Sequence, residues 1–246
     1  CEAHGDWNLE NITCKGSLAG DKVTLSGTKY LVSDVHQAAF MITTVAVNDQ
    51  ANLVIIPTDA LPPEAIRREK IIDETRRAFA VVLDGISLPA DALMDARAAA
   101  ETLAHIELAA SLLAAAEMCG GTYSVIDYTL DYLKTRKQFG KLIGGYQSLK
   151  HTMVDAHMGY ERARAHLYSA AFLFGQQGEG EIAVRMAKAE AEEAFSFAAD
   201  RAIQFHGGYG FTYDCDAQLY RRRAIWNAAL SGDARYHRRK LADLML

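Results

Sequence analysis

Residues 204–211 read Gln-Phe-His-Gly-Gly-Tyr-Gly-Phe and place three glycines within four positions after a long helical pattern. Glycine adopts positive φ without a steric penalty and lets a backbone approach a ligand closely. The side chain of Gln204 offers an amide to a polar ring or to a polyhydroxylated chain. A plain helix stop needs only one glycine, so the stretch indicates either a turn alone or a turn that also contacts a ligand.

A second polar stretch covers residues 136–140, Arg-Lys-Gln-Phe-Gly, and is followed by Gln147. It falls where one helical pattern ends and the next begins. A guanidinium fork at Arg136 can bind a phosphate or pyrophosphate through two hydrogen bonds, and Phe139 offers a face for a planar ring. Spacing alone equally allows a solvated Arg136 and a core Phe139 at a helix corner.

The half of the chain that contains both stretches has the pattern of helices. From Asp95 onward it is rich in Ala, Leu, Glu, Lys and Arg, and apolar residues recur at three, four or seven positions. Asp95 is suited to cap the first helix. Gly120 and Gly121 interrupt that helix, which predicts a kink or close packing there. We expect helices over 96–134, 146–174, 181–205 and 233–246, arranged as an antiparallel four-helix bundle.

The half that ends at Pro89 has the pattern of strands. β-Branched and aromatic runs separated by Gly, Asp, Asn and Pro lie at 23–25, 30–32, 40–47, 53–56 and 78–83. Residues 64–77 show only one clean helical turn and are predicted to form a loop. The chain is therefore expected to be α+β, with a β-domain over 1–94, incomplete at its N-terminal end, and a helical domain over 95–246.

Composition and charge exclude several classes of protein. Of 246 residues, 50% are hydrophobic and 23% are charged, which disfavours disordered, collagen-like and mucin-like chains. The net charge of −5 argues against general binding of nucleic acid or of anionic membranes. We find no apolar run of about 18 residues and expect no membrane span. The four cysteines lack metal-binding spacing, so we expect reduced thiols in a cytoplasmic protein without a metal site.

Four segments, taken in order, resemble the acyl-CoA dehydrogenase family. Residues 25–33, Leu-Ser-Gly-Thr-Lys-Tyr-Leu-Val-Ser, are similar to the flavin strand of its sheet domain, and residues 82–89, Val-Leu-Asp-Gly-Ile-Ser-Leu-Pro, to the exit from that domain. The Arg-x-x-Phe-Gly stretch at 136 and the Gln-x-x-Gly-Gly-x-Gly stretch at 204 complete the set. The resemblance implies FAD, a barrel-like middle β-domain and a C-terminal helical bundle, with the family's N-terminal helical domain absent from this chain.

The resemblance also implies which residues contact the cofactor. Ser33 stands where the family has a hydroxyl near the flavin N5, although an ordinary edge-strand serine is the alternative. Leu31 stands where many members have a tryptophan against the flavin ring. The smaller leucine would pack less closely against that ring. Arg136, Gln138 and Phe139 would contact the ADP part of an FAD that belongs to a neighbouring subunit. The remaining residues expected to bind the same cofactor are Gln147, Gln204, Gly207 and Gly208.

The catalytic base is where the resemblance fails. The family's reaction removes a proton α to a thioester carbonyl and passes the β-hydrogen to the flavin, so a carboxylate must act as base. The two positions that carry this Glu in the family fall on Ser231 and Ala110, and neither side chain can serve. Glu107, one helical turn before Ala110, and Asp233 are the nearest substitutes. A surface carboxylate and a helix N-cap are the simpler interpretations of these two residues.

The missing base leads to three hypotheses. The first is an FAD-binding oxidoreductase subunit without a base, in a heteromeric acyl-CoA dehydrogenase of lipid degradation that acts on fatty-acid-like or steroid side chains. It would work in a tetramer with a homologous Glu-bearing subunit, an acyl-CoA substrate and electron-transfer flavoprotein as the electron acceptor. The second is a flavin-dependent monooxygenase or oxidase of the same fold, which needs no α-proton base. The third is a scaffold subunit that no longer binds flavin.

Overall fold

The computed structural model describes residues 1–5, 7 and 11–246, which form two compact units, Cys1–Ile106 and Glu107–Leu246. The first unit contains most of the strands and the second contains most of the helical residues, as expected for an α+β chain. The predicted domain boundary at 94/95 comes just before the first long helix, whereas the boundary between the compact units falls within that helix.

The first unit consists of two hydrogen-bonded sheets. Its strands are β1 (Lys15–Ala19), β2 (Lys22–Ser26), β3 (Thr28–Ser33), β4 (Phe40–Val47), β5 (Gln50–Pro57), β6 (Ile66–Glu69), β7 (Ala78–Val82) and β8 (Ser87–Pro89). One sheet has the order β5-β4-β1-β2-β8 and the other has the order β3-β7-β6. All pairs are antiparallel except β1 with β4. The barrel-like expectation is not confirmed, because the described strands of this unit form two separate hydrogen-bonded sheets.

Alternating side chains build the core of this unit. Along β4 the inward residues Met41, Val45 and Val47 are buried, and they join Val23 and Leu25 of β2. This is the period of two that a half-buried strand requires. The segment predicted as a loop, 64–77, contains β6, whose sequence Ile-Arg-Arg-Glu gives no strand pattern. It pairs only with β7 at the edge of its sheet, where charged side chains reach solvent.

A buried ion pair crosses the interior of the first unit. Glu2 Oε1 lies 2.6 Å from Lys29 Nζ, and both side chains are almost fully buried. Lys29 Nζ also donates to Thr44 Oγ1 at 3.0 Å, and the Thr13 amide donates to Glu2 Oε2 at 2.5 Å. Burial alone would raise the pKa of Glu2, but the hydrogen bonds from Lys29 and Thr13 lower it to about 2.

The helical region has five long helices among the described residues. They are α1 (Ala96–Thr135), α2 (Gln147–Leu173), α3 (Glu179–His206), α4 (Ala217–Ala229) and α5 (Ala234–Met245). Four of them match the sequence expectation to within two residues at each end. Helix α4 was not expected, because the run Arg221-Arg222-Arg223 interrupts its apolar pattern. The four-helix bundle is therefore not confirmed.

The double glycine of α1 marks close packing. The helix runs through Gly120 and Gly121 without interruption. A methyl group added at Gly121 would lie 2.5 Å from Phe195 Cζ of α3, so only glycine admits that ring. Of the two outcomes predicted for this dipeptide, close packing is the one observed.

Helix α1 is long and apolar enough, by length and composition alone, to cross a membrane. An 18-residue window in it has a mean hydropathy of 1.3, and 28% of that window is buried within the chain. The expectation that no such segment exists was wrong by this measure, because the polar residues Ser111 and Glu117 do not lower the mean sufficiently. Core helices of globular proteins pass the same test.

Candidate functional site

The segment between α1 and α2 is a tight hairpin that presents Phe139 to solvent. Strands β9 (Lys137–Gln138) and β10 (Lys141–Leu142) pair across a two-residue turn, in which Phe139 has φ 54° and Gly140 has φ 80°. Two successive positive φ values are typical of the turn that joins short antiparallel strands. Phe139 is 90% exposed, so the interpretation of this residue as a core side chain is wrong.

The backbone of this hairpin is fixed while its polar side chains stay exposed. Tyr146 donates its hydroxyl proton to the carbonyl oxygen of Gln138 at 3.3 Å, and Lys141 Nζ lies 4.1 Å from the centroid of the Tyr146 ring. The Ile143 amide donates to the carbonyl oxygen of Arg136 at 2.9 Å. Among the described residues, the guanidinium of Arg136 has no ion pair or hydrogen bond, so it is available to a ligand.

Gln147 begins α2 beside the hairpin. Its side-chain oxygen lies 2.5 Å from His151 Nε2, one turn further along the same helix. This contact fits a local helix-surface pair as well as a ligand contact. Gln147 is exposed, and Gln138 and Gln204 are exposed too.

The three glycines after α3 have different structural reasons. Gly207 ends the helix with φ 61°, and its amide donates to the carbonyl oxygen of Gln204 at 3.1 Å. A methyl group at Gly210 would lie 2.5 Å from the carbonyl oxygen of Ile203, so the turn requires glycine there. Gly208 has ordinary helical dihedrals, φ −56° and ψ −33°, and a methyl group there would meet no described atom within 4 Å. Among the described residues, nothing in the fold requires glycine at 208.

His206 brings the two stretches to one end of the helical unit. It is the last residue of α3, and its ring stacks on Tyr132 and Tyr128 of α1 at centroid distances of 4.2 and 5.0 Å. Its Nδ1 lies 2.8 Å from the carbonyl oxygen of Ala202, which fixes the ring. Burial lowers the pKa of His206, which favours the neutral form of the stacked ring. Since α1 ends just before Arg136, this residue and the glycine turn lie at the same end.

In the first unit, Ser33 and Leu31 lie on an irregular part of β3. The register with β7 shifts between Lys29 and Val32, and Leu31 has φ 53°, which is unusual for a leucine. The amide of Leu31 donates to a side-chain atom, Glu69 Oε2 at 2.7 Å, instead of to the backbone of a neighbouring strand. Ser33 is exposed on an edge strand of its sheet, which agrees with a ligand contact and with an ordinary edge-strand serine alike.

The turn between α4 and α5 is held from within the protein. Ser231 has φ 55° and Gly232 has φ 95°. Lys188 Nζ donates to the carbonyl oxygen of Gly232 at 2.8 Å, and His237 Nε2 lies 2.9 Å from the carbonyl oxygen of Ser231. Lys188 and His237 are completely buried. We name the segment 230–233, together with these two side chains, the clamped turn.

The imidazole of His237 is neutral in the clamped turn. Burial, together with the nearby charges of Lys188 and Arg185, lowers the pKa of His237 to about 4. Arg185 Nη1 lies 3.5 Å from His237 Nδ1. Since a guanidinium only donates, we assign Nδ1 as the acceptor and Nε2 as the nitrogen that donates to Ser231.

The two acidic residues considered as substitute bases both have structural partners. Glu107 Oε1 lies 3.1 Å from Arg185 Nη1 and accepts the hydroxyl proton of Tyr236 at 3.1 Å. Arg185 also binds Glu181 of its own helix at 2.6 Å. Asp233 Oδ1 accepts the amide proton of Tyr236 at 2.7 Å and is the N-cap of α5. Glu107 is thus not the simple surface carboxylate of the alternative interpretation, because its side chain bonds to Arg185 and Tyr236.

The sequence offered little indication of Arg185, Lys188 and His237. Arg185 and Lys188 stand three positions apart in an Ala-rich helix, each four residues from a glutamate of the same helix. Their other partners, Glu107 on α1, Ala228 on α4 and Gly232 after it, lie far away in sequence. Sequence reasoning about Glu107 therefore missed the cation that binds it.

Comparison with known proteins identifies a family for more than half of the chain. Residues 93–246 match the family described as acyl-CoA dehydrogenase, C-terminal domain. The chain belongs to the acyl-CoA dehydrogenase family. Members of this family are flavoproteins that act as oxidoreductases.

Relatives and solved structures extend the likeness. This acyl-CoA dehydrogenase family member is 32% identical over 217 residues to acyl-CoA dehydrogenase fadE12 of Mycobacterium bovis, covering 83% of this chain and 55% of that protein. It is 37% identical over 132 residues to acyl-CoA dehydrogenase IpdE2 of Mycolicibacterium smegmatis, covering 54% of this chain and 41% of that protein. It thus spans about half the length of these relatives.

Two further likenesses concern a complex and a fold. A segment of 97 residues is 33% identical to the caffeyl-CoA reductase-Etf complex subunit CarC of Acetobacterium woodii, covering 39% of this chain and 26% of that protein. The structure of glutaryl-coenzyme A dehydrogenase with glutaryl-CoA superposes with a TM-score of 0.89 at 22% identity. It covers 98% of this chain and 63% of that one, and shows the fold.

Proposed function

We propose that this chain binds FAD as the subunit without a catalytic base in a heteromeric acyl-CoA dehydrogenase. Its belonging to the family supports the oxidoreductase part of the proposal. The single observation that carries the finer part is the clamped turn, which has Ser231 at one family position for the base. The other family position is Ala110, on α1.

The residues presented at the end of the helical unit fit the ADP part of FAD. Arg136 offers an exposed guanidinium to a phosphate, and the backbone of Gly207 and Gly208 is open to close approach. Phe139, which is 90% exposed, offers an apolar face to a planar ring. The open space at Gly208 supports this assignment most directly, because the fold itself does not require glycine there.

Within the first unit, Ser33 would direct its hydroxyl to the flavin ring. When bound, FAD supplies the acceptor for the β-hydrogen of the substrate. Leu31, in place of a tryptophan, would leave one wall of the ring more open. The hydrogen bond from the Leu31 amide to Glu69 keeps this irregular part of β3 in place.

The α-proton has no acceptor among the candidates of this chain. Glu107 neutralises Arg185, and its Oε1 already accepts two hydrogen bonds. If Glu107 turned away to act as a base, the nearly buried Arg185 would lose one of its carboxylate partners, and this loss would raise the free energy of the folded protein. Asp233 caps a helix and would release an amide proton donor if it turned away. We infer that a homologous subunit supplies the Glu.

The partners and setting complete the proposal. The substrate is an acyl-CoA, of fatty-acid-like or steroid side-chain type, and the complex is a tetramer in the cytoplasm. Electron-transfer flavoprotein is the proposed acceptor of the electrons. A relative of this chain, CarC, is named as a subunit of an Etf complex, which supports this acceptor.

Native mass spectrometry of the chain, purified from its own cells with its partners, tests the proposal. We expect a mixed tetramer with a Glu-bearing homologue and fewer FAD molecules than chains. The chain alone should not oxidise an acyl-CoA. A homotetramer with one FAD per chain and a normal rate of acyl-CoA oxidation would refute the subunit assignment, and rapid oxygen consumption without a response to acyl-CoA would favour an oxidase.

A pair of substitutions tests the base assignment within the complex. Glu107→Gln and Asp233→Asn should leave the rate of acyl-CoA oxidation within about threefold, whereas loss of a general base costs about 100-fold or more. Circular dichroism and FAD content serve as controls, because both carboxylates have structural partners. A loss of more than about 100-fold in a folded, FAD-loaded complex would identify that residue as the base.

A further inference from the structure

His206 packs the end of α3 against the end of α1, and the candidate cofactor-binding residues follow these two helix ends. Its ring lies against Tyr132 at a centroid distance of 4.2 Å and an interplanar angle of 24°. The angle to Tyr128, one turn earlier on α1, is 16°. Parallel stacking on two aromatic rings of one helix fixes both the separation and the rotation of the two helix ends.

Arg136 and the glycine turn are both connected to this stack through the backbone. Gly207 directly follows His206 in the chain. On the other side, the amide of Arg136 donates to the carbonyl oxygen of Tyr132 at 2.9 Å, so the first residue after α1 is tied to the stacked tyrosine. A change in the stack therefore moves Arg136 and the glycine turn relative to each other.

The glycine turn also folds back onto His206. A methyl group added at Gly210 would lie 2.9 Å from His206 Cβ, which shows how closely the turn packs on this residue. The ring itself is held by the bond from Nδ1 to the Ala202 carbonyl oxygen. His206 is buried and cannot contact a ligand on the surface, so any role in binding is indirect.

We propose that His206 is a positioning residue for the diphosphate of the bound dinucleotide. It sets the distance between the Arg136 guanidinium and the open backbone of Gly207 and Gly208, so that both reach the same phosphate groups. This inference rests on the proposed FAD-binding function. It adds a residue that the ligand does not touch and that spacing in the sequence does not reveal.

FAD affinity of the purified oligomer, stripped of flavin and titrated with FAD, tests this role. His206→Ala removes both stacking contacts and should weaken FAD binding about tenfold, whereas His206→Phe keeps a flat ring and should stay within about threefold of wild type. Tyr132→Leu removes the nearer of the two stacking partners on α1 and should weaken FAD binding in the same direction as His206→Ala. The dissociation constant is followed by quenching of flavin fluorescence.

A core substitution separates positioning from stability. Phe195→Leu weakens the packing of α3 against Gly121, away from the stack, and should lower the melting temperature without changing FAD affinity. If it weakens FAD binding as much as His206→Ala does, the positioning role is overturned. Wild-type affinity in a folded His206→Ala oligomer overturns it as well.

A double substitution gives a second, independent readout. Arg136→Ala should weaken FAD binding less in the His206→Ala background than in wild type, since the guanidinium is already misplaced there. Fully additive effects would overturn the proposed coupling. A wild-type oligomer that binds no FAD would instead refute the proposed function, which keeps the two failures distinguishable.

Discussion

Lys188 Nζ lies 2.8 Å from the carbonyl oxygen of Gly232, so a completely buried ammonium group holds the turn that contains Ser231. The same nitrogen lies 3.4 Å from the carboxylate of Glu192 and 3.4 Å from the carbonyl oxygen of Ala228. Burial lowers the pKa of Lys188, and the carboxylates of Glu192 and Asp233 oppose that effect. The shape of the turn thus depends on interactions of its main chain.

Replacement of Lys188 is expected to destabilise the helical unit strongly. Lys188→Met keeps the apolar stem but leaves Glu192 and two carbonyl oxygens without their buried donor, at a cost of about 3–5 kcal/mol. Urea denaturation followed by circular dichroism measures the loss. Lys150→Met, on an exposed part of α2, is the matched control and should change stability by less than about 0.5 kcal/mol. Equal effects of the two substitutions would contradict the clamp.

The stability of the wild-type chain should fall as the pH drops from about 6.5 towards 4. The pKa of His237 is about 4 in the folded protein and 6.5 in a model peptide. In this range the unfolded state binds the proton and the folded state does not, so unfolding becomes more favourable as the pH falls. Urea midpoints between pH 7 and pH 4.5 should therefore decrease.

His237→Gln isolates this contribution, because the amide can still donate to Ser231 but does not titrate. Its midpoints should depend less on pH over the same range, although the lowered pKa of His206 leaves part of the dependence in place. A wild-type pH dependence in His237→Gln would exclude His237 as the source.

Alanine substitution should have different effects at two glycines of the 204–211 stretch, on flavin content at Gly208 and on stability at Gly210. Gly208→Ala has open space and ordinary dihedrals, so the chain should fold normally while its FAD content falls several-fold. Gly210→Ala places a methyl group 2.5 Å from the carbonyl oxygen of Ile203 and should destabilise the protein by about 1–3 kcal/mol. Flavin absorbance per chain and thermal melting measure the two effects. Normal flavin content in Gly208→Ala would remove the main support for a ligand at this turn.

The buried pair of Glu2 and Lys29 should matter mainly when one partner is lost. Lys29→Met leaves the Glu2 carboxylate buried without its cation and should cost about 3–5 kcal/mol. Exchange of both residues for apolar ones, in Glu2→Leu/Lys29→Met, should cost less than the single change. Chemical denaturation of the three variants gives the comparison, and a double variant as unstable as the sum of the single ones would count against this account.

The sequence predicted those elements whose signals are local. Strand β4 and the ends of α1 and α3 follow from alternation, helical periodicity and terminal glycines. Helix α4 was missed because its arginines hide an apolar face made by Ala217, Ala224 and Trp226. The β6 edge strand was missed for a similar reason, since its charged residues depend on a partner strand for their conformation.

In the candidate site, too, local motifs could be read from the sequence, whereas contacts between distant elements could not. The exposed positions of Arg136 and Gly208 agree with motifs that can be read along the chain. The contact of Arg185 with Glu107 joins residues on different helices, and no local pattern indicates it. The same holds for His206, because its stacking partners lie on α1.

The clamped turn separates the side chain at position 231 from the interactions that hold the backbone. Lys188 and His237 contact carbonyl oxygens, so a different side chain at position 231 leaves both acceptors in place. The proposed exchange of a carboxylate for a hydroxyl at this position therefore requires no new partner for either buried side chain.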